Sequence, residues 1–276
     1  MKRCKSPIRY PGGKTRAVKH MFPHYPLIGE MKEFREGFLG GGSVAIDMTK
    51  RYPRLPIWVN DLYYPLYNFW VQLQNRGDDM SDLLYKMKQR HNTHETAKEL
   101  FLSSKEVVND ETVTLLDRAV AFYVINKCSF SGLTESSSFS KMASDSNFSV
   151  QGIENLRYYH RLIENWKITN QSYETLLCDD PETFVYLDPP YDIRDSLYGK
   201  RGSMHKYFDH DLFAEHCNGA QCPILISYNA DQKVTDRFPE WVAATFDLTY
   251  TMRSVGDYMK DQQNRKELLL LNYKKS

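Results

Sequence analysis

Three different rhythms of apolar and polar positions run along the chain. The first is a set of short strand-like runs, most of them apolar, that stop at a glycine, an acid or a proline. Glu33-Phe34-Arg35-Glu36 leads into Gly37-Phe38-Leu39-Gly40-Gly41-Gly42 and then Ser43-Val44-Ala45-Ile46-Asp47-Met48. That order predicts a strand, a glycine-rich turn and a helix that starts near Ser43. Ile57-Trp58-Val59 predicts a second strand, ending in Asn60-Asp61, and Phe184-Val185-Tyr186-Leu187 predicts a buried strand stopped by Asp188-Pro189-Pro190-Tyr191. Pro223 to Tyr228 and Glu267 to Tyr273 supply further strands.

The second rhythm is helical and runs from about Leu62 to Arg161, as in Met80 to Arg90 and Leu115 to Asn126. The third, Ser129 to Ser149, is rich in Ser and Phe, contains Gly132 and has no helical period. It predicts a loop or hairpin, with a disordered Ser-rich linker as the competing reading. The spaced aromatics Phe130, Phe139 and Phe148 count against the linker. With no internal repeat, the expected organisation is an α/β core over 1–61, an insertion over 62–161, and the core resumed over 162–276.

Composition changes this picture little. The chain has 276 residues, 41% hydrophobic and 26% charged, which suits a globular protein with a sizeable core. No apolar run is long enough to cross a bilayer, and Met1-Lys2-Arg3-Cys4-Lys5 is not followed by a signal-like stretch. No membrane partner is therefore expected. Five cysteines at irregular spacing argue against a secreted disulfide framework. Cys217 and Cys222 with His205, His210 and His216 match no zinc spacing, so no metal is expected. The net charge is +1, but its distribution is uneven. Up to Gly29 there is no acid, while Lys2, Arg3, Lys5, Arg9, Lys14, Arg16 and Lys19 are basic. Arg265, Lys266, Lys274 and Lys275 repeat the trend at the other end. Phosphate contacts and a solvated terminus explain this equally well on charge alone.

The candidate chemistry lies where the strands end, because ligands bind at the carboxyl edge of a parallel sheet. In Asp188-Pro189-Pro190-Tyr191 the prolines fix φ and remove two backbone donors, leaving the carbonyls free to accept. A carboxylate, a fixed carbonyl and an aromatic ring suit a planar heterocycle carrying an exocyclic amine. The bland alternative is a strand-terminating turn with a packed tyrosine. The glycine turn permits close backbone approach, and Asp61 stands about twenty residues beyond it, where a ribose-binding acid is found. The spacing is not GxGxxG, and Glu36 at the mouth of the turn would repel a pyrophosphate. A cationic ligand such as S-adenosylmethionine fits better than a nicotinamide dinucleotide.

In these motifs the chain resembles the Dam-type N6-adenine DNA methyltransferases. Arg9-Tyr10-Pro11-Gly12-Gly13-Lys14 is similar to the family's aromatic-x-Gly-Gly-Lys motif, with Tyr10 where relatives often have Trp. Phe34 to Gly42 resembles the cofactor loop, Asn60-Asp61 the ribose-binding pair, Gln171-Ser172-Tyr173 the segment near the cofactor adenine, and Asp188 to Tyr191 the catalytic tetrad. The resemblance implies a Rossmann-like methyltransferase core with an inserted, mostly helical target-recognition domain containing a hairpin. It also implies S-adenosylmethionine as cofactor and double-stranded DNA as partner, with the enzyme a monomer or weak dimer. The expected setting is the cytoplasm and nucleoid, or the compartment holding DNA if the chain is virus-encoded.

By the same resemblance, Asp188, Pro189 and Tyr191 are catalytic. Tyr10, Lys14, Glu36, Phe38, Gly40, Asp61, Ser172, Tyr173 and Asp188 surround the cofactor. Asn126, Lys127 and Phe130 stand at the start of the recognition hairpin, and Phe130 is either an intercalating ring or a packed one. Glu135 occupies the place of an arginine that reads guanine in GATC-specific relatives, and a glutamate suits a cytosine amine instead. Arg194, Lys200 and Arg201 form a basic loop near the tetrad, with a plain surface loop as the alternative. Relatives acting on cytosine N4 more often carry Ser at the first tetrad position, so Asp188 favours adenine. RNA adenine as substrate and a DNA-binding protein without catalysis are the remaining alternatives.

Overall fold

A computed structural model describes residues 5–130, 137–191, 208–247 and 266–274. Among the described residues the chain forms a mixed α/β fold on a seven-stranded sheet, with β1 at Glu33–Glu36, β2 at Ile57–Asn60, β3 at Lys167–Thr169, β4 at Thr183–Leu187, β5 at Ile224–Asn229, β6 at Val242–Asp247 and β7 at Lys266–Leu271. Their order across the sheet is β3-β2-β1-β4-β5-β7-β6. β3, β2, β1, β4 and β5 are parallel, while β7 runs antiparallel between β5 and β6. Every residue of β4 is buried, as expected of a central parallel strand covered on both faces.

Around the sheet lie helices α1 (Val18–Met21), α2 (Ser43–Arg51), α3 (Tyr64–Arg90), α4 (His94–Val107), α5 (Leu115–Cys128), α6 (Lys141–Ser146), α7 (Val150–Leu162), α8 (His210–Gly219) and α9 (Gln232–Asp236). Several begin where a side chain accepts an otherwise orphaned amide, such as Thr93 for α4, Thr114 for α5, Ser149 for α7 and Asp209 for α8. All of α3 to α7 falls between β2 and β3, where the helical rhythm was read. Their apolar faces share one core with the sheet: Phe34 and Val44 belong to the same cluster as Phe69, Trp70 and Phe122.

α3 is longer than its periodicity suggested and is bent at Arg76, where φ is −134° and ψ 28°. His160 of α7 fills the bend, its Nδ1 lying 3.2 Å from the Leu73 carbonyl and 2.9 Å from that of Gln74. Gly77 is required there, because a Cβ would stand 2.4 Å from that of His160.

The Ser129–Ser149 stretch differs from its reading as one loop or hairpin. Ser129 and Phe139 form an antiparallel bridge, with Phe130 N–H donating to Ser138 O at 3.2 Å and Ser140 N–H to Cys128 O at 2.9 Å. A short helix, α6, then follows, capped by Ser140, so the hairpin-like pairing is confined to its first part. Strands β3 and β6 were not visible in the apolar pattern. β6 is an edge strand with exposed and half-buried positions, and β3 has only three residues.

Candidate active site

The carboxyl ends of β1, β2, β4 and β5 meet on one edge of the sheet, and the predicted polar residues gather there. β1 runs into the glycine turn, where Gly40 and Gly42 adopt φ of +47° and +66°. These left-handed values favour glycine, and space demands it too. A Cβ on Gly40 would lie 2.9 Å from the Tyr10 ring, and one on Gly42 would lie 2.9 Å from Trp70. The turn is thus held between two aromatic rings, and Trp70 Nε1 donates to the Gly40 carbonyl at 3.1 Å. Trp70 lies within the stretch read as an insertion, and its part in supporting the turn was not foreseen.

Glu36 does not face the mouth of the turn. It is 3% exposed, and its Oε2 accepts from Ala45 N–H at 2.7 Å, satisfying an orphan amide in the first turn of α2. Burial raises its pKa well above the usual carboxylate range, and Asp188 and Asp61 push it further in the same direction. Asp61, at the end of β2, accepts from Gly40 N–H at 2.9 Å and from Tyr63 N–H at 3.0 Å. Desolvation raises its pKa to about 6 despite these two bonds. Next to it, Asn60 is 1% exposed and bonds Gly37 O, Gln171 O and Gln171 N. That amide ties the glycine turn to the Gln171-Ser172-Tyr173 segment. Tyr173 stacks on Phe38 at 5.4 Å between centroids, and its hydroxyl lies 3.0 Å from His216 Nδ1. Ser172 is half-buried at the start of the same short turn.

Asp188 leaves the end of β4. Lys14, 4% exposed, donates from Nζ to Asp188 Oδ2 at 2.8 Å and to Gly12 O at 2.9 Å. Ser227 of β5 donates to Asp188 Oδ1 at 2.8 Å and is itself 2.7 Å from the Tyr186 hydroxyl. Both carboxylate oxygens are therefore oriented, one by a charge and one by a hydroxyl. Pro189, next in the chain, is buried. The Tyr191 ring stacks on Tyr228 at 5.7 Å and 22°, and Lys14 Nζ stands 5.1 Å from its centroid. Its hydroxyl donates to Glu267 Oε2 at 2.7 Å. Ser227, Tyr228 and Glu267 were missed as site residues. The signal available was a serine inside an apolar strand and an acid opening a run of four leucines.

The N-terminal motif reaches the hairpin base as well. Arg9 N–H donates to Asn126 Oδ1 at 2.9 Å, and Asn126 Nδ2 donates to Arg9 O at 2.6 Å. Arg9 Nη1 and Nη2 donate to Ser129 O at 2.8 Å and Phe130 O at 3.0 Å. Asn126 is fully buried, so it holds the N-terminal segment rather than facing outward. Lys127 is 9% exposed, and burial followed by repulsion from Arg9 lowers its pKa to about 8. Phe130 is 49% exposed, which removes its reading as a packed ring. Glu135, Arg194, Lys200 and Arg201 lie outside the described residues.

The buried polar set fits a positively charged cofactor. Glu36, Asp61 and Asp188 converge on this edge, where Lys14 is the ammonium already paired with one of them. Among the described residues no cluster of His, Cys, Asp and Glu suited to a metal is found. Nor is any helix there long and apolar enough to cross a membrane.

Residues 10–252 match the D12 class N6 adenine-specific DNA methyltransferases. The chain belongs to that family. It is 24% identical over 219 residues to Type II methyltransferase M.MjaIII of Methanocaldococcus jannaschii, covering 74% of each chain. It is 20% identical over 272 residues to Type II methyltransferase M.CviBI of Paramecium bursaria Chlorella virus NC1A, covering 96% of this chain and 98% of that one. A third similarity, 30% over 130 residues, is to the DNA N-6-adenine-methyltransferase of Escherichia phage P1, covering 47% of this chain but 16% of the phage protein. Membership makes this chain an adenine-specific DNA methyltransferase, for which S-adenosylmethionine is the family's methyl source.

Proposed function

We propose that the enzyme methylates N6 of an adenine drawn out of double-stranded DNA, with Asp188, Pro189 and Tyr191 acting on the extruded base. The observation that carries this reading is the Asp188 carboxylate oriented by both Lys14 and Ser227, with the Tyr191 ring beside the same Lys14. The amine of adenine is a weak nucleophile because its lone pair is delocalised into the ring. Accepting its two N–H groups at the Asp188 carboxylate and the Pro189 carbonyl favours a pyramidal nitrogen with a more available lone pair. Lys14 and Ser227 hold that carboxylate before the base arrives, which is preorganisation. Tyr191 sets the plane in which the base stacks. Asp188 is also the base in reach for the proton that leaves the methylated nitrogen.

S-adenosylmethionine, when bound, supplies an electrophilic methyl on a sulfonium. For it, Asp61 would accept from the ribose hydroxyls, and Ser172, Tyr173 and Phe38 would line the adenine. Tyr10, Gly40 and Lys14 would shape the methionine end. Glu36 holds the turn from beneath by capping α2.

A target amine inside a duplex is out of reach, so the base must be flipped. Residues 62–161 are the element proposed to read and grip the DNA, flanked by catalytic core at 1–61 and 162–276. Phe130 stands exposed at the hairpin base, suited to filling a vacated stack. Arg9, part-exposed beside it, suits phosphate, and Lys127, buried, would act on DNA only through its charge from beneath. Arg194, Lys200, Arg201 and Glu135 complete the proposed DNA contacts. The test is nucleoside mass analysis of DNA and RNA incubated with the protein and S-adenosylmethionine. Wild type should yield N6-methyladenine in DNA, and Asp188→Ala should yield none while still binding cofactor. N4-methylcytosine or methylated RNA as the product would overturn the assignment, as would near-normal turnover by Asp188→Ala.

A further inference from the structure

We propose that Glu267 is a positioning residue for methyl transfer, acting through the hydroxyl of Tyr191. The inference rests on the tetrad reading above and extends it to a residue on β7. Glu267 is 2% exposed and precedes Leu268, Leu269, Leu270 and Leu271, all buried. Its neighbours in register are Asn229 of β5 and Phe246 of β6, so it sits at the end of the sheet that carries Asp188. An apolar side chain would satisfy such a strand position, whereas burying a carboxyl group is costly unless it is hydrogen-bonded.

The bond it accepts from Tyr191 gives the acid a use. Pro189 and Pro190 fix the backbone up to Tyr191 but leave the ring free to turn. Stacking against Tyr228 limits tilt without fixing how far the ring slides or swings. Tyr228 is itself hydrogen-bonded to His210 Nδ1, so that face of the stack is anchored. The 2.7 Å bond at the ring's far tip supplies the missing constraint. Lys14 acts electrostatically on both Glu267 and its own partner Asp188, so one cation links the acid at the ring's hydroxyl to the tetrad carboxylate. A phenylalanine would stack as well as a tyrosine. The hydroxyl matters because of what it bonds.

The experiment is a double-variant cycle in the full chain with Glu267→Ala, Tyr191→Phe and both together, plus Glu267→Gln. Steady-state methyl transfer and the fluorescence of 2-aminopurine at the target position are read alongside thermal melts. Each single change should lower kcat about tenfold while the KM for cofactor stays within about twofold. The double variant should be no slower than the worse single. Glu267→Gln should recover most of the rate, because its amide oxygen still accepts from the phenol. Flipped-base fluorescence should change in Glu267→Ala and return in Glu267→Gln. Losses that add in the double variant would overturn the proposal, as would a loss that only tracks the folded fraction. Full activity in Glu267→Ala beside an active wild type would sink this inference alone. A wild type that makes no N6-methyladenine would sink the tetrad reading and this one together.

Discussion

Replacing Lys14 by Met tests whether the buried charge pair holds the reactive carboxylate. Lys14 Nζ and Asp188 Oδ2 are 2.8 Å apart, with side chains 4% and 20% exposed. At an effective dielectric of about 20, charges at that distance attract by about 6 kcal/mol before desolvation is subtracted. Removing one member of a buried pair costs about 3–5 kcal/mol, because the other is left uncompensated. Asp188 keeps the Ser227 hydroxyl and some contact with water, so the lower end, about 3 kcal/mol, is expected. At about 2–4 °C per kcal/mol, the melting temperature should fall by about 6–12 °C. Asp188→Asn should also destabilise, since it strands the ammonium. The double variant Lys14→Met/Asp188→Asn removes both charges and should be clearly more stable than the sum of the singles predicts. Urea unfolding followed by tryptophan fluorescence reads this, as Trp70 and Trp166 lie 5.8 Å apart in the core. If the two losses simply add to within about 0.5 kcal/mol, the pair is not coupled and the preorganisation reasoning fails.

Two further outcomes are expected. Asp61 keeps its proton up to about pH 6 when folded, against about 3.9 for an unperturbed aspartate. The folded state binds that proton more tightly than the unfolded state does. Asp61 therefore lowers stability as pH rises across that window, and the loss persists at neutral pH. Melts of wild type and Asp61→Asn should diverge there, and cofactor affinity measured by calorimetry should weaken as pH falls below about 6; a flat affinity would remove Asp61 from the cofactor site. Phe130→Ala should reduce 2-aminopurine fluorescence at the target position and raise the KM for DNA, with cofactor binding unchanged. Normal flipping in that variant would leave the exposed ring without the assigned part.

The sequence by itself determined the strands that bear the site and the residues at their ends. β2, β4 and β5 are runs whose burial leaves an apolar signature, while β1, with Phe34 its one apolar residue, is marked by the glycine turn it enters; each stops where glycine, acid or proline chemistry disfavours more strand. The ordered motifs placed Lys14, Asp61 and Asp188 in one family pattern. Local chemistry is readable in this way because it depends on neighbours along the chain. The tertiary structure alone decided the rest. Nothing local to Lys14 says that its ammonium lands on Asp188, 174 residues away. Glu36 reads as an acid aimed at ligand, yet the return of α2 over β1 turns it into a helix cap. By resemblance Asn126 belongs with the DNA contacts, yet packing of the N-terminal segment closes both ends of its amide. Trp70, Ser227 and Glu267 enter the site only because α3 and the central strands carry them there. Edge strand β6, half exposed, has too little burial to mark itself in the pattern. What the sequence cannot carry is the pairing of distant polar groups, because desolvation and hydrogen-bond partners exist only once the layers have closed.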